Sequence, residues 1–397
     1  MPAIAEHPIV TPKTNTERTV VMLLISSLER GGAERQVVEL LRQMDRDRFD
    51  PFVCSLSSHN PLASSLPDQQ RDLVIVDKKR KFDLSAVMRV ARVMTDRNVR
   101  LCHAFLFDAN FVGRLAGRIA RVPIVINSER NTDYKRKRVH SVCLGLTRSW
   151  SRAMIANSHS GKRFVSKNLG IPLDEVYVVH NGVDVERCCP GDRGKVRREL
   201  GIADDEFVVG MIANFKPQKN HAQFIRMAEH VLRRFPRTWF MCVGEPLRDN
   251  YKGGEDYYRE MRALVERTSV KDRLLLLGAR NDMPDVYNAC DVTTLTSRHE
   301  GTPNVLLESM ACGVPVVAND VSDNAYVVSD GQNGFIVPLD DAEATARRVG
   351  DLLADPDRRR AMGRAAREWV ENEFSPSRMA RKTEAVYTEL LEHVTRV

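Results

Sequence analysis

The sequence predicts an α/β protein built as two doubly wound parallel-sheet domains with a cleft between them. Three observations carry this. Short β-branched runs alternate with amphipathic stretches almost throughout, as in parallel sheets with helical crossovers. A turn-rich segment, His180-Asn181-Gly182-Val183-Asp184 and then Cys189-Pro190-Gly191-Asp192, interrupts that alternation near mid-chain, after which it restarts. The length of 397 residues suits two or three domains, and 43% hydrophobic with 28% charged residues can bury a large core. The composition excludes disordered, collagen-like and disulfide-scaffold chains.

In the first half the strands are expected at Val20–Ser26, Pro51–Ser57, Leu73–Val76, Leu101–Phe105, Ile124–Asn127, Met154–Asn157 and Val176–Val179. Between the first two, Ala33–Met44 reads as a helix with Val37, Leu40, Leu41 and Met44 on one face. The second half gives Phe207–Ala213, Trp239–Val243, Leu274–Leu277, Val292–Leu295, Pro315–Ala318 and Gly334–Val337, with helices such as His221–Phe235 and Asp256–Thr268. From Asp341 the chain reads as helical to its end. The expected units are a flexible segment 1–17, a first domain 18–188 and a second domain 189–375. Ligands in such folds sit outside the carboxyl ends of the strands, so two facing domains imply a bipartite site.

No uncharged apolar run reaches the roughly 18 to 20 residues that span a bilayer, and residues 1–17 lack a signal-peptide core. The eight cysteines include no C-x-x-C pair, which points to reduced, buried thiols in a cytosolic protein. Net charge is +7, and it is unevenly placed: residues 71–170 hold 22 basic against 7 acidic side chains. That excess includes the runs Lys78-Lys79-Arg80-Lys81 and Lys135-Arg136-Lys137-Arg138. It suits either a solvated face or an anionic partner (a membrane surface, a phosphorylated acceptor or nucleic acid), of which a membrane surface is preferred. Nucleic acid is not expected, because no aromatics are interleaved with the basic residues.

The strongest constellation for chemistry is Glu300-Gly301-Thr302-Pro303-Asn304 leading into a helix that contains Glu308 and stops at Gly313. Gly301 and Thr302 open a turn, Pro303 suits the first helical position and Gly313 the stop. Free N–H groups at that helix start can hold a pyrophosphate. Glu300 and Glu308 repel phosphates but accept hydrogen bonds from hydroxyls. A nucleotide sugar offers this combination of groups. A capped helix with two surface glutamates is the competing reading.

Read from Glu300, the stretch E-G-T-P-N-V-L-L-E-S-M-A-C-G-V-P-V-V-A resembles the E-x7-E signature of retaining glycosyltransferases of family 4, which have the two-domain GT-B fold. Gly31-Gly32-Ala33-Glu34-Arg35, Asn157-Ser158, His180–Asp184 and Ala213–His221 are similar to other landmarks of that family, in the same order. Phe374-Ser375-Pro376 followed by a helix resembles the C-terminal helix that returns to the first domain. The resemblance implies that Glu308 binds ribose hydroxyls and that Glu300 contacts the transferred sugar. It also implies that Gly301, Thr302, Pro303 and Asn304 meet the diphosphate or sugar through their backbone. Lys219 would neutralise the leaving diphosphate, Asn214 would line the donor site, and Gly31 and Gly32 would let the facing domain approach closely. Transfer would retain configuration, from a UDP-sugar (GDP as the alternative) to a lipid-linked or growing glycan acceptor. The enzyme would lie on the inner membrane face and need no metal.

Two positions depart from the family pattern. Asn214 stands where many relatives have Arg, and Asn127-Ser128-Glu129-Arg130-Asn131 stands where many have a histidine. Glu129 and Arg130 are therefore candidates for the site, with Arg130 supplying part of the missing charge. His103, His180 and Asn181 are further candidates, each also readable as a packed structural residue. A dehydrogenase is disfavoured, because G-x-G-x-x-G is absent and the second strand ends in Ser57-Ser58-His59 without an acid. Gly161-Lys162 is not a P-loop, since Ala156 stands where its glycine belongs. A nucleotide-sugar epimerase on the same fold and a non-catalytic membrane-surface binder remain alternatives.

Overall fold

The computed structural model describes residues 18–29, 31–80, 83–130, 145–246 and 254–395. The expected segment 1–17 and the run Lys135–Arg138 lie outside them. The first sheet holds β1 (Thr19–Ile25), β2 (Phe49–Ser55), β3 (Leu73–Ile75), β4 (Leu101–Phe105), β5 (Ile124–Glu129), β6 (Ala153–Ala156) and β7 (Val176–Val178). The second holds β8 (Phe207–Ile212), β9 (Thr238–Val243), β10 (Leu274–Leu276), β11 (Val292–Leu295), β12 (Val316–Asn319) and β13 (Gly334–Val337). Both are parallel, ordered β3-β2-β1-β4-β5-β6-β7 and β10-β9-β8-β11-β12-β13. Each expected strand is present within two residues at either end. β5 runs two residues longer than expected, so Ser128 and Glu129 end the strand and pair with Ile155 and Ala156 of β6.

The strands read as near-continuous apolar runs because helices cover both faces of each sheet. Met22, Leu23, Leu24 and Ile25 of β1 are fully buried: Leu23 and Ile25 join one core layer, Met22 and Leu24 the other. In both sheets the strand order reverses beside the first strand, between β1 and β4 and between β8 and β11. These reversals splay the following loops apart and open a crevice at the carboxyl ends.

After the second sheet the chain forms helices Ala342–Ala354, Pro356–Glu373 and Pro376–Thr395. The last returns to the first sheet, where Met379, Ala380, Val386, Tyr387 and Leu390 join the core that contains Val21, Val37 and Phe49. Tyr387 is fully buried and packs edge-on against Phe49, ring centroids 6.0 Å apart. Burying such apolar side chains stabilises the return by roughly 1.5–3 kcal/mol each.

A buried carboxylate also joins the two halves. Asp323, beyond β12, accepts hydrogen bonds from the backbone N–H groups of His159 (2.6 Å) and Ser160 (2.9 Å), at the start of helix His159–Leu169. It also accepts from His180 Nε2 at 3.0 Å, and the His180 ring stacks on Tyr326 with centroids 4.4 Å apart. Burial alone would raise the Asp323 carboxyl, but His180 and the two N–H groups override it and bring it down to about 2. A carboxyl held below its ordinary value stabilises the fold above that value, and the gain is lost as pH falls through about 2. We expect Asp323→Asn to cost about 1.5–3 kcal/mol at pH 7, the scale of hydrogen bonds to a charged group. The deficit in melting temperature should persist down to about pH 4 and shrink as pH falls towards 2. An equal deficit at pH 7 and pH 2.5 would contradict the assignment.

Candidate active site

Two loops of the second domain build the centre of the site. One follows β8 and runs from Ala213 to Asn220; the other follows β11 and runs from Thr296 to Pro303. They are stitched together by hydrogen bonds from Arg298 N to Gln218 O (2.8 Å), from Gln218 Nε2 to His299 O (2.6 Å) and from Thr296 Oγ1 to Lys219 O (3.1 Å). This brings Lys219 Nζ onto the Glu300 carboxylate in a short, largely buried ion pair. Burial works to raise the Glu300 carboxyl, but Lys219, Ser297 and Lys216 together hold it below its ordinary value. Glu300 is therefore an anion near neutrality, able to accept hydrogen bonds but not to donate one.

The helix after Glu300 spans Asn304–Ala311, so Pro303 precedes its first residue rather than occupying it. Pro303 keeps an extended backbone (ψ 112°), which leaves it in the capping position. Gly313 ends the helix in the left-handed conformation, φ +73°, as expected. Glu308 lies one turn inside and is largely buried. Tyr287 Oη donates to its Oε2 at 2.8 Å, while Arg187 and Arg35 approach its Oε1 at 3.5 and 3.7 Å. Burial and then the Glu308 charge push the Tyr287 phenol well above its ordinary value, so it stays a donor.

The loops face a cleft of about 730 Å³, the size of a pocket for a drug-sized ligand. Of the residues expected at the site, Gly32, Asn214, Lys219, Glu300, Gly301, Thr302, Pro303 and Asn304 line it, as do Arg130 and Asn181. Both domains contribute. A Cβ on Gly32 would stand 3.0 Å from Asn304 Nδ2, and one on Gly301 would stand 2.6 Å from Asn157 Oδ1. At both positions the facing domain occupies the space of a side chain. The Thr302 hydroxyl donates to the Asn157 carbonyl, so it serves the domain contact.

Arg130 follows β5 and reaches the cleft beside Asn181, donating from Nη1 to Asn181 Oδ1 at 2.7 Å. Asn181 Nδ2 in turn donates to Asn304 Oδ1 (2.7 Å) and Thr302 O (3.0 Å). Arg130 packs over the Phe105 ring, and its buried Nε has no partner among the described residues. Burial lowers its guanidinium to about 10, opposed by Tyr387 and Glu34, so it stays charged at neutral pH.

Other expected residues stand apart from the cleft lining, Glu308 among them, its carboxylate engaged by Tyr287, Arg187 and Arg35. Gly31 caps helix Gly32–Gln43, under the Glu34 carboxylate. Glu129 is buried at the end of β5, because that strand is longer than the sequence suggested. His103 is buried between Tyr387 Oη (2.6 Å) and Ser128 Oγ (2.8 Å), and burial takes it well below its ordinary value, so it is a neutral packed residue. His180 belongs to the Asp323 contact. His159, His180 and Asp323 could converge on one ion. Yet both Asp323 oxygens already accept backbone N–H groups at a positive helix end, which disfavours a cation there.

Lys216, Gln218, Asn157 and Arg280 also line the cleft; the first three lie in the landmark stretches Ala213–His221 and Asn157-Ser158, whereas Arg280 carries no sequence signal. Lys216 lies inside the matched Ala213–His221 stretch, so the signal for it was present. Arg35 was likewise within a quoted motif, but its reach to Glu308 depends on how the domains meet.

Among the described residues no helix is long and apolar enough to cross a membrane, and all cysteines are free thiols. A family model described as Glycosyl transferases group 1 matches residues 192–369, and one described as Glycosyltransferase Family 4 matches residues 30–187. A UDP-Gal:alpha-D-GlcNAc-diphosphoundecaprenol alpha-1,3-galactosyltransferase of Escherichia coli is 26% identical over 380 residues, 91% of this chain and 94% of that protein. A D-inositol 3-phosphate glycosyltransferase of Nocardia farcinica is 33% identical over 217 residues, 53% of this chain and 47% of that protein. In structure, Anabaena HepE in complex with UDP-glucose aligns with a TM-score of 0.80 at 22% identity, over 94% of this chain and 100% of that one. That likeness speaks to the fold. Two family models that divide most of the chain between them, over two such sheets, make one assignment: the chain is a glycosyltransferase of the family 4 type, with the GT-B fold.

Proposed function

We propose that this enzyme transfers a sugar, with retention of configuration, from a UDP-sugar to a lipid-linked or growing glycan acceptor in polysaccharide or glycolipid assembly at the inner membrane face. The observation that carries the reading is the Lys219–Glu300 pair, set across two stitched loops at the reversal of the second sheet. An ammonium has three donors. One meets Glu300, and the others can take oxygens of a leaving diphosphate. The name of the Escherichia coli relative supports UDP as the nucleotide and a lipid diphosphate as the acceptor's anchor.

The chemistry follows from the charges. As the anomeric carbon–oxygen bond breaks, negative charge grows on the diphosphate, where Lys219, Lys216 and Arg130 stabilise it. Arg130 offsets the cation absent at Asn214, whose Oδ1 accepts from Glu245 N at 3.1 Å. The acceptor hydroxyl attacks the same face, and its proton passes to a departing phosphate oxygen, so no protein nucleophile is required. Glu300, kept anionic, accepts sugar hydroxyls and fixes the ring, while Glu308 accepts from the ribose diol beside Tyr287. The cations come from side chains, so the reading calls for no metal.

Incubation of the protein with labelled UDP-sugars and isolated membranes should give labelled lipid-linked product. Epimerised donor without transfer would overturn the reading. Glu308→Ala should weaken UDP binding by about 1.5–3 kcal/mol in calorimetry, while Glu300→Gln should mainly lower kcat. Unchanged affinity and rate in both variants would remove these roles. Arg130→Ala should weaken UDP binding more than uridine binding, and an equal loss for both would place Arg130 in the scaffold instead.

A further inference from the structure

The basic run after β3 is not absorbed by the donor site. Its residues Lys78, Lys79 and Arg80 line a second cavity, of about 260 Å³, together with Ser26, Leu56 and Asp108; Lys81 lies outside the described residues. This volume is at the lower edge of ligand pockets, room for a charged head group rather than a whole glycan. Ser26 follows β1 and Asp108 lies just beyond β4. The cavity therefore sits at the reversal of the first sheet, the counterpart of the place where the Lys219–Glu300 pair sits in the second.

The backbone that carries its cations is fixed, with Lys78 largely buried and Lys79 and Arg80 exposed at the rim. Asp77 takes a left-handed turn, φ +48°, and the backbone around it is pinned by Val76 N to Ser55 O (2.9 Å) and Lys78 N to Leu56 O (2.7 Å). Arg89 Nε donates to Val76 O at 3.2 Å, and Lys79 N donates to Asp83 Oδ2 at 3.0 Å. Lys78 is largely buried and pairs with Asp108 at 3.1 Å; Lys79 pairs with Asp77, which is outside the lining. Arg80 has no carboxylate partner among the described residues. Three cations and one carboxylate line the cavity, which suits a phosphate group.

The cavity adjoins the donor cleft. Leu106 lines the cleft and Asp108 lines the cavity. Two residues of chain span at most about 7 Å. Likewise Ser26 opens the connection that leads to Gly32, the first residue of helix Gly32–Gln43, which lines the cleft.

We propose that this cavity binds the diphosphate that joins the acceptor glycan to its lipid, and so selects phosphate-bearing acceptors for the neighbouring donor site. This rests on the transferase reading above, and deepens it by naming the group of the acceptor that is recognised. Lys79 and Arg80 supply charge, Lys78 and Ser26 supply inner donors, and Asp108 positions Lys78.

The test uses two water-soluble acceptors carrying the same N-acetylglucosamine, one joined to a short alkyl chain through a diphosphate, the other a plain alkyl glycoside. Calorimetry without donor should show the full chain binding the diphosphate acceptor at least tenfold more tightly. The Lys79→Ser/Arg80→Ser variant, and separately Lys78→Met, should lose most of that preference while UDP affinity stays at the wild-type value. Equal affinity of wild type for the two acceptors would overturn the proposal. So would a variant that keeps the preference and loses only its binding to anionic liposomes, since the cavity would then serve membrane headgroups. Turnover with a UDP-sugar is measured separately. Selective binding without any transfer would count against the transferase substrates proposed above, while leaving the cavity assigned.

Discussion

The ion pair between Lys219 and Glu300 is the constraint around which the rest is arranged. It joins the loop after β8 to the loop after β11, the two strands between which the second sheet reverses. Neither partner would be stable so deeply buried alone, since an unpaired buried charge costs several kcal/mol. Together they keep the carboxylate ionised and leave ammonium donors for a diphosphate. Stitching by Gln218, Arg298 and Thr296 fixes the geometry without help from a ligand. A site preorganised in this way does not need to reorganise as charge develops.

The first domain completes the site from the other side. Asn157 presses on Gly301 and accepts from Thr302, Gly32 lies against Asn304, and Arg130 reaches Asn304 through Asn181. The Asp323 contact and the returning C-terminal helix hold the same two bodies together further out.

Much of this was legible in the sequence because parallel strands buried on both faces are continuous apolar runs, which cannot be confused with loops. The E-x7-E spacing likewise reports a helix entry, with one acid before the helix and the other about one turn inside it. What was not legible depends on the third dimension. The sequence suggested that Glu129 follows a strand, but pairing with Ala156 extends β5 and buries it, so that Arg130 alone reaches the cleft. His103 looked like a cleft residue at a strand end, yet its partner Tyr387 comes from the chain's last helix, 284 residues away. Asp323 carried no motif at all, because its role exists only where the two domains touch.

The account stands most directly on where the diphosphate lies. A crystal structure with an intact UDP-sugar bound should place its phosphate oxygens within hydrogen-bond distance of Lys219 and Arg130. The sugar should meet Glu300 and the ribose should meet Glu308. A nucleotide found elsewhere, or one bound in the cleft with Lys219 still wholly committed to Glu300 and no phosphate contact, would contradict it.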